Sequence, residues 1–205
     1  MTTLGAATST SRRRADRWAH ALSELLSPVV LAYLTCVWVA GATTQPLVRG
    51  VALGLLVASL CAGLPFVLVV LASRRRLLSG RHVPELRERP AVLTACAASA
   101  TTGLLLAWWL GAPPEVFALV TATVAGLVVA AVISTSWKLS IHVAAAAGAV
   151  SAVALVVTPW ALLGALLVGA LAWARVRLTA HDVSQVAGGA VIGAMVTVSV
   201  MLALH

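Results

Sequence analysis

Six stretches of this chain contain no Asp, Glu, Lys or Arg: 25–48, 50–73, 90–114, 116–137, 139–174 and 183–205. No other feature constrains the fold so strongly. About 20 apolar residues in a helix cross a bilayer, and hydrocarbon demands that each span satisfy its own backbone hydrogen bonds. Five runs hold one helix apiece. The run 139–174 holds two, divided at Thr158-Pro159-Trp160, with a short second half. The expectation is an all-α, polytopic transmembrane helix bundle of about seven spans, or six if that break is not a turn.

Composition excludes the competing classes. Hydrophobic residues make up 61% of the chain and charged residues only 10%, whereas ordinary soluble domains carry about 25% charged residues. The net charge of +8 would suit a nucleic-acid binder, but runs of this length leave no soluble core to carry such a surface, so no nucleic-acid partner is expected. Residues 1–22 read as a disordered basic segment and 23–205 as one transmembrane domain. Ala40-Gly41-Ala42 resembles a signal-peptide cleavage site, but the apolar region before it is too long and starts too late. Cys36, Cys61 and Cys96 fall on different spans, without metal-ligand or disulfide spacing, and read as packing residues. The sequence sets no oligomeric state.

With seven spans, thirteen of the fourteen basic residues fall on one face and Arg49 alone on the other. The positive-inside rule places the crowded face, and the N-terminus, in the cytoplasm of a cell-membrane protein. Three polar clusters lie on that face, at loop–helix junctions. The first runs from Arg81 and His82 to Arg89-Pro90. The second is Trp137-Lys138-Leu139-Ser140-Ile141-His142. The third is Ala174-Arg175-Val176-Arg177-Leu178-Thr179-Ala180-His181-Asp182-Val183-Ser184-Gln185, followed by Gly189 and Gly193, a GxxxG pair suited to close helix approach. Taken singly, the first cluster reads as a basic cytoplasmic loop and the second as an interfacial histidine beside a topology anchor. Together they put histidines and arginines on one membrane face. A guanidinium fork fits phosphate oxygens, and a neutral imidazole can act as nucleophile or acid–base group. These groups suit an anionic lipid better than a metal, because neighbouring arginines repel cations.

The same residues resemble the type 2 phosphatidic acid phosphatase family, membrane lipid-phosphate phosphatases related to vanadium haloperoxidases. The family pattern is Lys-x6-Arg-Pro, Pro-Ser-Gly-His and Ser-Arg-x5-His-x3-Asp. Arg175, His181 and Gln185 keep the third spacing, with Gln in the Asp position and Ala174 in the Ser position. Ser140 and His142 keep part of the second. Arg89-Pro90 ends the first, with His82 at its Lys position. The likeness covers residues 82–193, and the stretch between Arg89 and Ser140 holds more spans than is usual.

The resemblance implies a cofactor-free, metal-free phosphatase acting on a lipid phosphate within the bilayer. His181 would be the nucleophile, His142 the general acid and base, and Gln185 the residue orienting His181. Arg175, Arg89, Lys138, Ser140 and His82 would hold the phosphate. Gln in place of Asp tilts the substrate toward a polyprenyl phosphate or diphosphate, with a phosphatidate-like lipid next. A degenerate relative that binds lipid phosphate without turnover is the alternative. A transporter is disfavoured, because its polar groups belong near the midplane. Many bacterial members of the family face outward, whereas the charge count here favours the cytoplasm.

Overall fold

A computed structural model describes residues 3–80, 83 and 85–204, with side chains from residue 13 onward. The described residues are helical and contain no strand. The helices are α1 (Thr3–Leu25), α2 (Pro28–Thr43), α3 (Leu47–Ala58), α4 (Leu64–Arg74), α5 (Arg89–Trp109), α6 (Pro114–Ile133), α7 (Ile141–Val156), α8 (Ala165–Arg177) and α9 (Val183–Leu204). A π-turn, Ser59–Gly63, joins α3 to α4, and 3-10 turns precede α5 and α8.

Among the described residues, five helical segments are long and apolar enough to cross a membrane: Leu47–Arg74, Leu86–Trp109, Pro114–Ile133, Pro159–Arg177 and Val183–Leu204. A sixth exists if the bent pair Arg13–Leu25 and Pro28–Thr43, which turns by 45°, counts as one. The expectation of seven is therefore corrected. The seventh apolar segment is α7, Ile141–Val156, which is shorter; its 16 residues reach only about 24 Å at 1.5 Å per residue. The break at Thr158-Pro159 is a real turn, in which the Thr158 hydroxyl accepts from the Trp160 N–H. The segment Thr3–Leu25 is helical. The basic composition hid a docked face: Ala19 is fully buried, and Asp16 receives the Arg177 Nε–H at 2.9 Å.

The bundle pairs α7 with α9, α5 with α6, α2 with α3, and α1 with α8. Its core is Val- and Ala-rich, with Val39, Val57, Val116, Val120 and Met201 buried together. The outer surface is apolar, with Leu55, Leu56, Leu166 and Leu167 exposed. Trp108, Trp109 and Trp160 are exposed where α5 ends and the α8 segment begins, in the manner of an interfacial aromatic belt. Pro65 explains the π-turn: it has no N–H and crowds the carbonyl four residues back, and the preceding turn widens. Ser99 of α5 donates to the Leu60 carbonyl exposed there, at 2.7 Å.

Candidate functional site

Arg89 opens α5, directly after the 3-10 turn Leu86–Glu88. Its neighbour Glu88 does not neutralise it, because the Glu88 carboxylate takes the Ser79 N–H at 3.1 Å and the Ser79 hydroxyl at 2.7 Å. Arg89 is 6% exposed, and its Nη2 donates to the Leu139 carbonyl at 2.8 Å. That bond ties the start of α5 to the Lys138–Ser140 segment, 50 residues later. Arg175, 7% exposed, lies in the last turn of α8 and donates from Nη1 to the buried Ser23 hydroxyl of α1 at 2.8 Å. Among the described residues, Arg89 Nη1 and Arg175 Nε have no hydrogen-bond partner. Arg177 points elsewhere, to Asp16.

The chain then reverses to present His181. The Thr179 N–H bonds the Val176 carbonyl and the Ala180 N–H bonds the Arg175 carbonyl, the two bonds of a Schellman helix end. Glycine usually takes the left-handed position of that motif; here Thr179 does, at φ 52, a strained conformation for a β-branched residue. Asp182 caps the next helix. Its carboxylate accepts from the Gln185 N–H at 2.8 Å and the Ser184 hydroxyl at 2.6 Å. These bonds, led by the one from Ser184, hold its pKa below the ordinary carboxylate value. Asp182 is thus a helix cap and does not orient the histidine.

Gln185, one helical turn beyond His181, meets the His181 ring, with Oε1 and Nδ1 2.9 Å apart. An amide oxygen only accepts, so Nδ1 carries the proton and Nε2 keeps its lone pair. Burial, opposed by the Gln185 bond and aided by Arg175, Arg89 and Lys138, lowers the His181 pKa to about 4. The ring is neutral at physiological pH. Lys138 is likewise held below the ordinary lysine value by burial and by the two arginines.

Arg89, Lys138, His142, Arg175 and His181 all line one cavity of about 510 Å³. The sequence therefore named five groups that the fold does bring together. Two other named residues stand behind the wall. Gln185 supports His181, and Ser140, fully buried, begins α7 with its backbone N–H on the Gln185 carbonyl at 3.2 Å. Among the described residues the Ser140 hydroxyl has no partner, and Ser140 is not among the residues that line the cavity. His82 lies outside the described residues.

The sequence reading missed a whole wall. His20, Ser23 and Glu24 of α1 line the cavity, and their i, i+3, i+4 spacing on one helix face was the signal. Cys61 and Ala62 of the π-turn also line it, in keeping with the frequent occurrence of such turns at functional sites. Among the described residues no cluster of three or more His, Cys, Asp or Glu could hold a metal ion.

Among the described residues, Arg89, Lys138 and Arg175 outnumber the one carboxylate of the lining, Glu24, so the cavity wall is net positive. The arrangement suits an anion with several oxygens, on which two guanidinium forks and an ammonium can converge. No protein-family model matches the chain, and no curated protein or solved structure does either.

Proposed function

We propose that this protein is a metal-independent membrane phosphatase that hydrolyses a lipid phosphate or diphosphate through a phosphohistidine intermediate, with polyprenyl substrates favoured. One observation carries the reading: His181, with Nδ1 2.9 Å from Gln185 Oε1, lines the same cavity as Arg89, Arg175 and Lys138. The likeness to the type 2 phosphatidic acid phosphatases, resting on Arg175, His181 and Gln185, supports it.

In the first step the His181 Nε2 lone pair attacks phosphorus and a P–N bond forms. The P–O bond to the lipid breaks, and His142 delivers a proton to the leaving oxygen. In the second step water attacks phosphorus, His142 takes its proton, the P–N bond breaks, and inorganic phosphate leaves with His181 restored. Arg89, Arg175 and Lys138 neutralise the phosphoryl oxygens in both steps. The positive-inside rule puts this basic end in the cytoplasm, where the enzyme would meet intermediates of lipid synthesis.

The test is phosphate release by the purified full chain from farnesyl diphosphate, a long polyprenyl diphosphate and phosphatidic acid, in EDTA. Release is expected to survive EDTA and to vanish in His181→Ala. Arg175→Gln should lower kcat about 100-fold or more, the usual loss for a transition-state charge donor. A second reading, lipid-phosphate binding without turnover, draws on Gln185, whose amide brings no charge to stabilise the phosphorylated ring. A folded protein that releases nothing but retains these lipids would establish it.

A further inference from the structure

Behind the polar cavity lies a second space of about 190 Å³, walled by α2, α6, α7, α9 and the π-turn. The two spaces share Pro28, Cys61, Ala62, Leu127 and Ile141, so they meet at a common wall. The second wall is almost wholly apolar, with alanines on α6 and α7. One of its few hydroxyls, that of Thr123, is spent on the Leu119 carbonyl at 2.9 Å. Gly126 of α6 lines this chamber, and a Cβ built there meets nothing within 4 Å. The space is partly open, with Gly126 and Ile192 only half-buried, and apolar pockets of this size accept guests as large as benzene.

We propose that this chamber receives the hydrocarbon chain of the lipid phosphate, about six to eight carbons of it, and that Gly126 sets its depth. The inference rests on the lipid-phosphate reading of the adjoining site. The chain of an ester held by Arg89 and Arg175 must leave the polar cavity across apolar wall, and Leu127 and Ile141 are the residues that the two spaces share. The substrate class is then a phosphate monoester or diphosphate whose first carbons are unbranched or singly methylated, narrow enough to pass alanine walls.

The test measures equilibrium binding of n-alkyl phosphates from butyl to dodecyl, below micelle formation, to full-length protein in nanodiscs on a His181→Ala background. Phosphate release is measured in parallel with His181 intact. Wild-type affinity should rise about fourfold per methylene, the transfer value for a CH₂, and then level off once the chamber is full. Gly126→Phe places a benzene-sized ring in the chamber. It should leave butyl phosphate within twofold and weaken decyl phosphate at least tenfold. Gly126→Leu should fall between, which covers the case that Phe does not fold. Gly169→Phe is the control, since Gly169 lies on the outer face of α8 and also has open space around it; it should change nothing.

A flat chain-length series in the wild type, equal weakening at all lengths in Gly126→Phe, or no binding at all overturns the chamber. A chain-length pattern sensitive to Gly126 without any phosphate release leaves the chamber standing and removes the phosphatase. Release without the pattern does the reverse.

Discussion

Two glycine-bearing regions of this bundle behave oppositely, the GxxxG pair of α9 and the single Gly126 of α6. In α9, a Cβ on Gly189 would lie 2.7 Å from the Ser140 carbonyl oxygen, and one on Gly193 would collide with the Ala144 backbone. The missing side chains there are replaced by the neighbouring helix. In α6, Gly126 has nothing within 4 Å, and its missing side chain is left as space. The tight pair presses the start of α7, with Ser140 and His142, against the end of α9 that carries Gln185. The slack region lies where, on the reading above, only a hydrocarbon chain need fit. Catalytic geometry tolerates little displacement, whereas a tail needs room.

Gly193→Leu offers the hardest blow to that contrast. It should overpack α7 against α9 and cost about 3 kcal/mol or more, read as a large fall in melting temperature with loss of phosphate release. Gly126→Leu should leave the melting temperature near wild type. Equal melting of the two variants would erase the distinction.

The His181–Gln185 contact can be sharpened by pH. With a folded pKa of about 4 against about 6.5 unfolded, the unfolded chain binds more protons between those values. Stability is therefore fully present above pH 6.5 and falls as the pH drops toward 4. Gln185→Asp puts a carboxylate at the ring and should raise the His181 pKa by at least about one unit, the usual effect of an adjacent opposite charge. The acid-side loss of melting temperature should then flatten, and the acid limb of the pH–rate profile should move up. An unchanged profile would mean that Gln185 does not govern the ring.

Smaller effects belong to the missed wall. Ser23→Ala removes the oxygen that receives the Arg175 Nη1–H, a loss of about 1 kcal/mol, or about fivefold in kcat/KM. A fall in thermal stability with kcat/KM intact would make Ser23 structural only. Thr179→Gly relieves the left-handed strain before His181 and should raise stability by about 1 kcal/mol. The loosened loop should lower kcat a few-fold, and unchanged turnover would show that this strain does not help aim the histidine.

Much of this was legible because it is local. Charge-free runs locate the apolar helices, and Pro159 marks the break after α7. That Gln185 orients His181 is what the family resemblance implies, since His181 lies before α9 and only Gln185 is in its first turn. Other features were hidden. The number of full spans depends on how far α7 extends. The role of α1 was masked by arginines that read as a solvated tail, although His20, Ser23 and Glu24 already shared a face. The loop holding Arg89 carries Glu85 and Glu88, and only the fold shows that Ser79 takes Glu88 and Arg87 takes Glu85, at 2.7 Å.

By itself, then, the sequence determined an apolar helical chain and the basic junctions, because hydropathy and charge are properties of neighbouring residues. Tertiary structure alone decided that Ser23 receives Arg175 across 152 positions, that Ser140 stands behind the cavity wall, and that the gap at Gly193 is filled while the one at Gly126 stays open. Those outcomes depend on which helices meet and how closely, and such long-range packing leaves no periodic trace in the chain.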